Sequence, residues 1–204
     1  MKINKKKFIY LISPNKIDAQ FYKHLNVVLG TGKVSFFQMR FKKYSFNQKI
    51  VIGKKIRLIC KKNNVKFLVN DDPLLSKKLN ADGCHLGQKD TNIIEARRII
   101  GNKIIGITCH NSVRLAKAAI KDKASYLAFG AFFLTKTKKA KHKATTKILE
   151  KVKKLTKTPL VAIGGINSSN YKKLLLNNAN FLAISSYIWN NKKYKPLEAI
   201  KKIK

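Results

Sequence analysis

The feature that most constrains the fold is a set of eight short apolar runs, spaced about 20 to 30 residues apart along the 204-residue chain. The runs are FIYLIS (8–13), VSFFQMR (34–40), VKFLVN (65–70), GCHLG (83–87), KIIGITC (103–109), YLAFGAF (126–132), PLVAIGG (159–165) and FLAISSYI (181–188). Several are apolar at successive positions, as expected of parallel strands that are covered on both faces. We therefore predict eight buried strands.

Segments with a helical period separate these runs. Residues 47–63 carry a stripe that includes Ile52 and Ile56, and residues 145–157 carry one that includes Ile148 and Val152. Two further stripes are Val113, Ala116 and Ile120, after a predicted cap at Asn111 or Ser112, and Tyr171, Leu174 and Leu175, after Ser168 or Ser169. A short third helix is expected at about 73–80, and the first unit is irregular around residues 29–32.

Alternating strands and helices favour parallel strands joined by crossover helices. Eight such units in one chain predict the α/β class, as a single-domain (β/α)8 TIM barrel over residues 1–204. A doubly wound open sheet is the alternative. No linker rich in Gly, Ser or Pro divides the chain, and its 45% hydrophobic content is typical of a globular protein.

The formal net charge of +36 raises the possibility of nucleic-acid binding. Only five of the 45 basic residues are arginine, however, and the lysines are scattered over the whole chain. Arginine is the residue best suited to bidentate phosphate and base contacts. We therefore expect a solvated basic surface and no specific nucleic-acid partner.

The three cysteines are widely spaced and form no CxxC pair, which argues against a disulfide framework or a zinc site. No apolar stretch approaches the roughly 18 residues of a membrane span. A cytoplasmic protein without membrane association is the expectation.

Polar residues follow almost every predicted strand, and in a barrel these positions meet at one rim, where active sites lie. Asp71 follows strand three and Asp90 follows strand four. A single aspartate after a strand more commonly caps the next helix. Two on neighbouring strands, near basic residues, favour a Mg²⁺ site. Asp72 and Asp82 are interpreted as a helix-entry cap and a loop hydrogen-bonding residue.

Arg40, Lys42 and Lys138 lie at the same predicted rim, where they would neutralise a diphosphate. Gly165 follows strand seven, and barrels frequently bind phosphate through backbone N–H groups at that position. Ordinary glycine turns remain the alternative. Cys109 and His110 are adjacent in a strand and point to opposite faces, which argues against a catalytic thiol pair.

Seven motifs, taken in their order along the chain, resemble the signature of the thiamine-phosphate synthase family. They are QMRFK, VNDD, ADGCHLGQKD, GITCHN, FGAFFLTKTK, VAIGGI and AISSYI. The resemblance extends from about Tyr10 to Ile188. It implies a Mg²⁺-dependent (β/α)8-barrel transferase. Such enzymes join 4-amino-2-methyl-5-hydroxymethylpyrimidine diphosphate to 4-methyl-5-(2-phosphoethyl)thiazole, or its carboxylate, by a dissociative substitution that gives thiamine phosphate and pyrophosphate.

The resemblance also implies roles for individual residues. Arg40, Lys42 and Lys138 would be catalytic, and Asp71 and Asp90 would hold Mg²⁺. The pyrimidine diphosphate would be bound by Gln38, Met39, Arg40, Phe41, Lys42, Asn70, Thr108 and Lys138. The thiazole phosphate would be bound by Thr135, Lys136, Thr137, Gly165, Ser185 and Ser186. Thr108 stands where the family usually has serine, and it keeps the hydroxyl.

Two other functions stay open at this point. A thiazole tautomerase would use the same barrel without a diphosphate substrate, and retention of both aspartates argues against it. A basic RNA-associated protein would be expected to carry clustered arginines and exposed aromatics, which the sequence lacks. Both a monomer and a homodimer are compatible with the sequence.

Overall fold

The computed structural model describes residues 7–134 and 142–204. Its strands are β1 Ile9–Ile12, β2 Val34–Met39, β3 Lys66–Asn70, β4 Gly83–Leu86, β5 Ile104–His110, β6 Tyr126–Gly130, β7 Leu160–Ile163 and β8 Phe181–Ile184. Its helices are α1 Phe21–Leu29, α2 Phe46–Lys62, α3 Pro73–Lys78, α4 Ile93–Ile100, α5 Val113–Lys121, α6 Thr146–Lys153, α7 Tyr171–Leu176, α8 Ser186–Trp189 and α9 Pro196–Lys201.

The eight strands form a closed parallel barrel in sequence order, because β1 pairs with both β2 and β8. This confirms the predicted (β/α)8 barrel and excludes the open-sheet alternative. All carboxyl ends of the strands therefore open on one face, which we call the mouth, and all amino ends on the other. The mouth collects the polar residues that follow the strands.

Inward and outward residues alternate along the strands and form two separate cores. The larger core lies between barrel and helices and contains outward residues such as Leu11, Phe37 and Cys84. The smaller core fills the barrel and includes Tyr10 and Tyr126. This alternation decides which residues of each predicted motif face the mouth.

Local signals in the sequence explain several element boundaries. The Ser112 side chain caps α5 by accepting a hydrogen bond from the Leu115 N–H, as one of the two predicted caps. Asp72 caps α3 through the Leu75 N–H at 2.8 Å, which confirms its predicted role. Asn170, rather than Ser168 or Ser169, occupies the N-cap of α7.

The eighth apolar run is only partly a strand. β8 ends at Ile184, and residues 186–189 form the short helix α8 instead of continuing the predicted strand to residue 188. Its apolar residues are still buried, because Ile188 packs in the larger core. Within the part of the chain that the structure describes, every helix is too short or too polar to span a membrane.

Candidate active site

The mouth of the barrel brings together most of the described residues that the sequence singled out. Gln38 lies near the end of β2 and Arg40 directly follows it. Asn70 ends β3, and Thr108 lies near the end of β5. Each occupies an inward position of the alternation. Thr135, Lys136, Thr137 and Lys138, which were predicted to bind substrate, lie outside the described residues.

Asp71 and Asp90 lie close enough for their carboxyl groups to interact. Burial, followed by the hydrogen-bonding contact with Asp90 and its charge, raises the pKa of Asp71, while the charges of Lys42 and Arg40 oppose the shift. A carboxyl group whose pKa is raised by burial and by a second carboxylate beside it forms, with that carboxylate, a site that favours a cation.

The local backbone holds both aspartates in place. Asp71 has a left-handed conformation with φ 65°, which is uncommon outside glycine, and its N–H donates to the His85 carbonyl at 2.7 Å. The Asp90 carboxylate accepts a hydrogen bond from the Gly87 N–H at 2.7 Å. Both carboxylates are thus oriented by the turns that follow β3 and β4.

These two carboxylates fit Mg²⁺, which commonly binds proteins through one or two carboxylates and completes its shell with water and substrate phosphate. Among the described residues, no group of three or more His, Cys, Asp or Glu side chains could enclose a metal ion. The donor set therefore suits a shared, partly hydrated cation better than a fully caged one.

Basic side chains flank the aspartate pair. The Lys42 ammonium lies 3.6 Å from the Asp71 carboxylate, and its side chain is 58% exposed. Arg40 is held through its backbone, because its N–H donates to the Ser13 hydroxyl at 2.9 Å. Its guanidinium is 3.5 Å from the Asn15 side-chain oxygen. Both cations are available to an anion in the mouth.

Five polar side chains inside the barrel form a continuous hydrogen-bonded chain below the mouth. Gln38 contacts the Tyr10 hydroxyl at 3.0 Å, and Tyr10 contacts Tyr126 at 2.7 Å. His85 then joins the Tyr126 hydroxyl to the Thr108 hydroxyl, at 2.9 Å on each side. Burial lowers the pKa of His85 to about 4, so the ring is neutral near pH 7.

The sequence alone did not identify the two tyrosines or Ser13 as residues of the site. The available signal for Tyr10 and Tyr126 was a hydroxyl at an inward position of an otherwise apolar strand. A buried tyrosine hydroxyl normally requires a partner. That rule alone does not identify which strand supplies the partner.

Met39 and Phe41 lie differently from their neighbours in the QMRFK motif. They alternate with Gln38 and Arg40, and their side chains pack between the barrel and the helices with 2% and 4% exposure. Both line a cavity of about 200 Å³ between the ends of β2 and β3, beside Lys42 and Asp71. Their side chains support the mouth from outside the barrel.

Three of the residues that were predicted to bind the thiazole phosphate are described by the structure, and they lie at the ends of β7 and β8. Gly165 has a φ of 63°, and a side chain there would collide with the backbone of residues 133 and 134. The Ser185 hydroxyl donates to the Ser13 carbonyl at 3.1 Å, and Ser186 begins α8. These three residues share one side of the mouth.

A closed parallel barrel whose polar residues gather at the carboxyl ends of its strands is the architecture of a (β/α)8-barrel enzyme. The family model for thiamine monophosphate synthase matches residues 9–188 of this chain. The chain belongs to that family.

Individual proteins support the same assignment. The thiamine-phosphate synthase of Pelagibacter ubique is 67% identical, with the full length of both chains covered. That of Erythrobacter litoralis is 40% identical over 89% of this chain and 88% of its own. The solved thiamine phosphate pyrophosphorylase of Pyrococcus furiosus superposes with a TM-score of 0.85 at 27% identity, covering 98% of this chain and 95% of that chain.

Proposed function

We propose that this protein is a Mg²⁺-dependent thiamine-phosphate synthase. It joins the pyrimidine diphosphate to the thiazole phosphate and releases pyrophosphate. The observation that carries the proposal is the convergence of two interacting carboxylates, those of Asp71 and Asp90, with Arg40 and Lys42 at the mouth of a barrel of this family. A diphosphate leaving group requires such an arrangement, because its departure concentrates negative charge that must be neutralised.

Asp71 and Asp90 would hold the cation, which when bound would neutralise part of the charge on the leaving diphosphate. Arg40 would grip the diphosphate oxygens as a planar fork, and Lys42 would act as a mobile point charge. We assign Lys138 the same role as Lys42, on the sequence resemblance alone. No side-chain nucleophile is needed, which agrees with the complete burial of Cys109.

Gln38, Asn70 and Thr108 would orient the pyrimidine diphosphate from inside the rim. Orientation is the second requirement of this reaction, since the reactive pyrimidine cation must meet the thiazole nitrogen before it meets water. The thiazole phosphate would bind opposite, against Gly165, Ser185 and Ser186, together with Thr135, Lys136 and Thr137. Met39 and Phe41 would contribute by fixing the strand on which Gln38 and Arg40 lie.

The direct test is to incubate the purified protein with both substrates and Mg²⁺ and to detect thiamine phosphate by mass spectrometry. We expect product with Mg²⁺ and none after chelation of divalent metal. Arg40→Ala should lower kcat/KM about a hundred-fold, as expected for loss of a charged contact to the leaving group. Arg114→Ala, on the exposed face of α5, is the matched control and should behave as the wild type. A folded wild-type protein that forms no product would refute the proposal.

A further inference from the structure

Substrate contacts alone do not explain why five polar side chains form a hydrogen-bonded chain inside the barrel. Its two ends, Gln38 and Thr108, are expected to contact the pyrimidine diphosphate. The three side chains between them, Tyr10, Tyr126 and His85, come from three other strands and have no assigned role. All three are enclosed within the barrel below the mouth.

Distances alone do not set the direction of the hydrogen bonds among the two tyrosines, His85 and Thr108, but the Gln38 amide favours one direction. The Gln38 amide nitrogen is only a donor, so the Tyr10 oxygen accepts from it. Among the described residues, the other hydrogen-bond partner of Tyr10 is the Tyr126 oxygen, to which Tyr10 can donate its single proton. In that arrangement Tyr126 donates its own proton to Nδ1 of His85, 2.9 Å away.

This direction of the hydrogen bonds fixes the tautomer of His85 and the hydrogen-bonding role of the Thr108 hydroxyl. An accepting Nδ1 in a neutral imidazole requires the proton on Nε2, which donates to the Thr108 oxygen at 2.9 Å. One lone pair of Thr108 is then occupied by a protein donor. Its own hydroxyl proton is left to donate to a group in the mouth.

We propose that Tyr10, Tyr126 and His85 are positioning residues that hold the Thr108 hydroxyl as a hydrogen-bond donor to the diphosphate. This inference rests on the proposed function. The opposite direction along the chain would make Thr108 donate to His85 and present only lone pairs to the anion. A donor fixed in advance stabilises negative charge without reorganising during the reaction.

The surroundings of these hydrogen-bonded side chains favour a fixed direction of their hydrogen bonds. Tyr10 and Tyr126 are 1% and 3% exposed and meet edge to face, with ring centroids 5.6 Å apart. The His85 ring stacks on Tyr126 at the same distance. Burial raises the pKa of both tyrosines, so their hydroxyls stay protonated near neutral pH. Gly106 leaves room for the Tyr126 ring, which a Cβ at that position would overlap.

A double-mutant cycle tests whether Tyr126 acts through Thr108. Tyr126→Phe and Thr108→Ala should each lower kcat/KM for the pyrimidine diphosphate about ten-fold to a hundred-fold, the usual effect of a hydrogen bond to a charged group. The double variant should be within about two-fold of Thr108→Ala, because the contact is already lost. Thr108→Ser should retain most activity, and Tyr10→Phe, farther along the chain, should lose less than Tyr126→Phe.

Tyr171→Phe is the matched control, since Tyr171 is also buried and its hydroxyl bonds to the Lys204 backbone far from the mouth. It should leave kcat/KM unchanged. The KM for the thiazole phosphate should stay constant in the Tyr126 and Tyr10 variants. Additive losses in the double variant would overturn the proposal, as would equal losses in Tyr171→Phe and Tyr126→Phe.

A spectroscopic measurement tests the direction without using activity. In ¹⁵N-histidine NMR of the wild type, assigned by comparison with His85→Gln, Nδ1 of His85 should be the unprotonated nitrogen and Nε2 the protonated one. The opposite tautomer would refute the proposed direction even if the protein is active. The expected tautomer in a protein that forms no thiamine phosphate would refute the proposed function, and with it the role toward the diphosphate.

Discussion

The two faces of the barrel both carry basic residues and aspartates, yet they use them differently. The larger cavity, about 520 Å³, lies at the amino ends of β3, β4 and β5 and is lined by Arg57, Lys66, Asp82 and Lys103 among others. The cavity beside Asp71 at the opposite face measures about 200 Å³. Size and charge alone would favour the amino-terminal cavity as the site.

Four of the five charged side chains that line the amino-terminal cavity, all except Lys61, have hydrogen-bond partners among the described residues of the protein. Arg57 donates to the Asn80 carbonyl at 2.9 Å, and Lys103 donates to the Asn80 side chain at 2.7 Å. Asp82 accepts from the Phe67 N–H at 2.8 Å and from Lys66 at 3.1 Å. This confirms Asp82 as a loop hydrogen-bonding residue and explains the cavity as a structural feature.

The mouth shows the opposite pattern. Asp71 is partly buried next to a second carboxylate, and its raised pKa means that its ionised form is disfavoured by the folded protein. Groups that destabilise the fold and converge on one space are the stronger indication of function. An energetically unfavourable cluster of charged groups therefore marks a candidate site better than a large cavity with satisfied charges does.

Removing one aspartate from each face is expected to give the largest difference in activity. Asp90→Asn should lower turnover at least about a hundred-fold, because the cation loses one of two carboxylates. Asp82→Ala should leave kcat/KM within about two-fold of the wild type, provided that the assay is run well below its unfolding temperature. A loss of turnover in Asp82→Ala as large as that in Asp90→Asn would remove the distinction between the faces.

Metal binding can be measured without turnover. Mg²⁺ with inorganic pyrophosphate, at about a hundred times its dissociation constant, should stabilise the wild type by about 2.7 kcal/mol in thermal unfolding. Asp71→Asn and Asp90→Asn should abolish most of this gain, whereas Asp82→Ala should keep it. A full gain in both mouth variants would place the cation elsewhere.

Substitution of an aspartate should change the free energy of unfolding in opposite directions at the two faces. Asp82→Ala leaves the Phe67 N–H without its acceptor and should cost about 1–3 kcal/mol of unfolding free energy. Asp71→Asn removes a carboxylate that the fold disfavours, and should gain about 0.5–1 kcal/mol at neutral pH. Urea unfolding of both variants measures the difference.

The pH dependence of that gain follows from the direction of the Asp71 shift. A raised pKa means that the folded state binds the proton more tightly than the unfolded state, so ionisation lowers stability. The gain in Asp71→Asn is therefore full above the folded pKa. It should shrink as the pH falls through that value towards the ordinary pKa of aspartate. A gain that grows on acidification would contradict this assignment.

The smallest expected effect concerns the cysteines, one of which lines the amino-terminal cavity. Cys60, Cys84 and Cys109 are at most 1% exposed, and burial raises their pKa values, to about 12 for Cys84 and Cys109. Iodoacetamide at pH 8 should hardly modify the native protein and should react fully in denaturant. Rapid native modification of Cys60 would show that the amino-terminal cavity opens.

Much of the fold was predictable, because buried parallel strands appear in a sequence as apolar runs. The clearest boundary error was at the eighth run, where Tyr187 and Ile188 continue the apolar pattern of the strand but lie on the short helix α8. The helices α1 and α4 were not assigned, although both bury apolar stripes. Hydrophobic pattern alone does not separate a short helix from the end of a strand.

The candidate site was predictable to the extent that it depends on strand ends. Asp71, Asp90, Arg40 and Thr108 follow from position and family resemblance, but Met39 and Phe41 required the inward and outward alternation to be applied to the motif. The pairing of Tyr10 with Tyr126 joins positions 116 residues apart. Only the closure of the barrel brings them together, so no local pattern could indicate it.

The contact between Gly106 and the Tyr126 ring restricts the order in which this barrel can change. A side chain at position 106 overlaps the ring as long as the tyrosine is present, whereas a smaller residue at position 126 is sterically compatible with glycine. The order of substitution at these two positions therefore matters for packing. Any evolutionary or engineered path that refills this interior replaces Tyr126 first and Gly106 second.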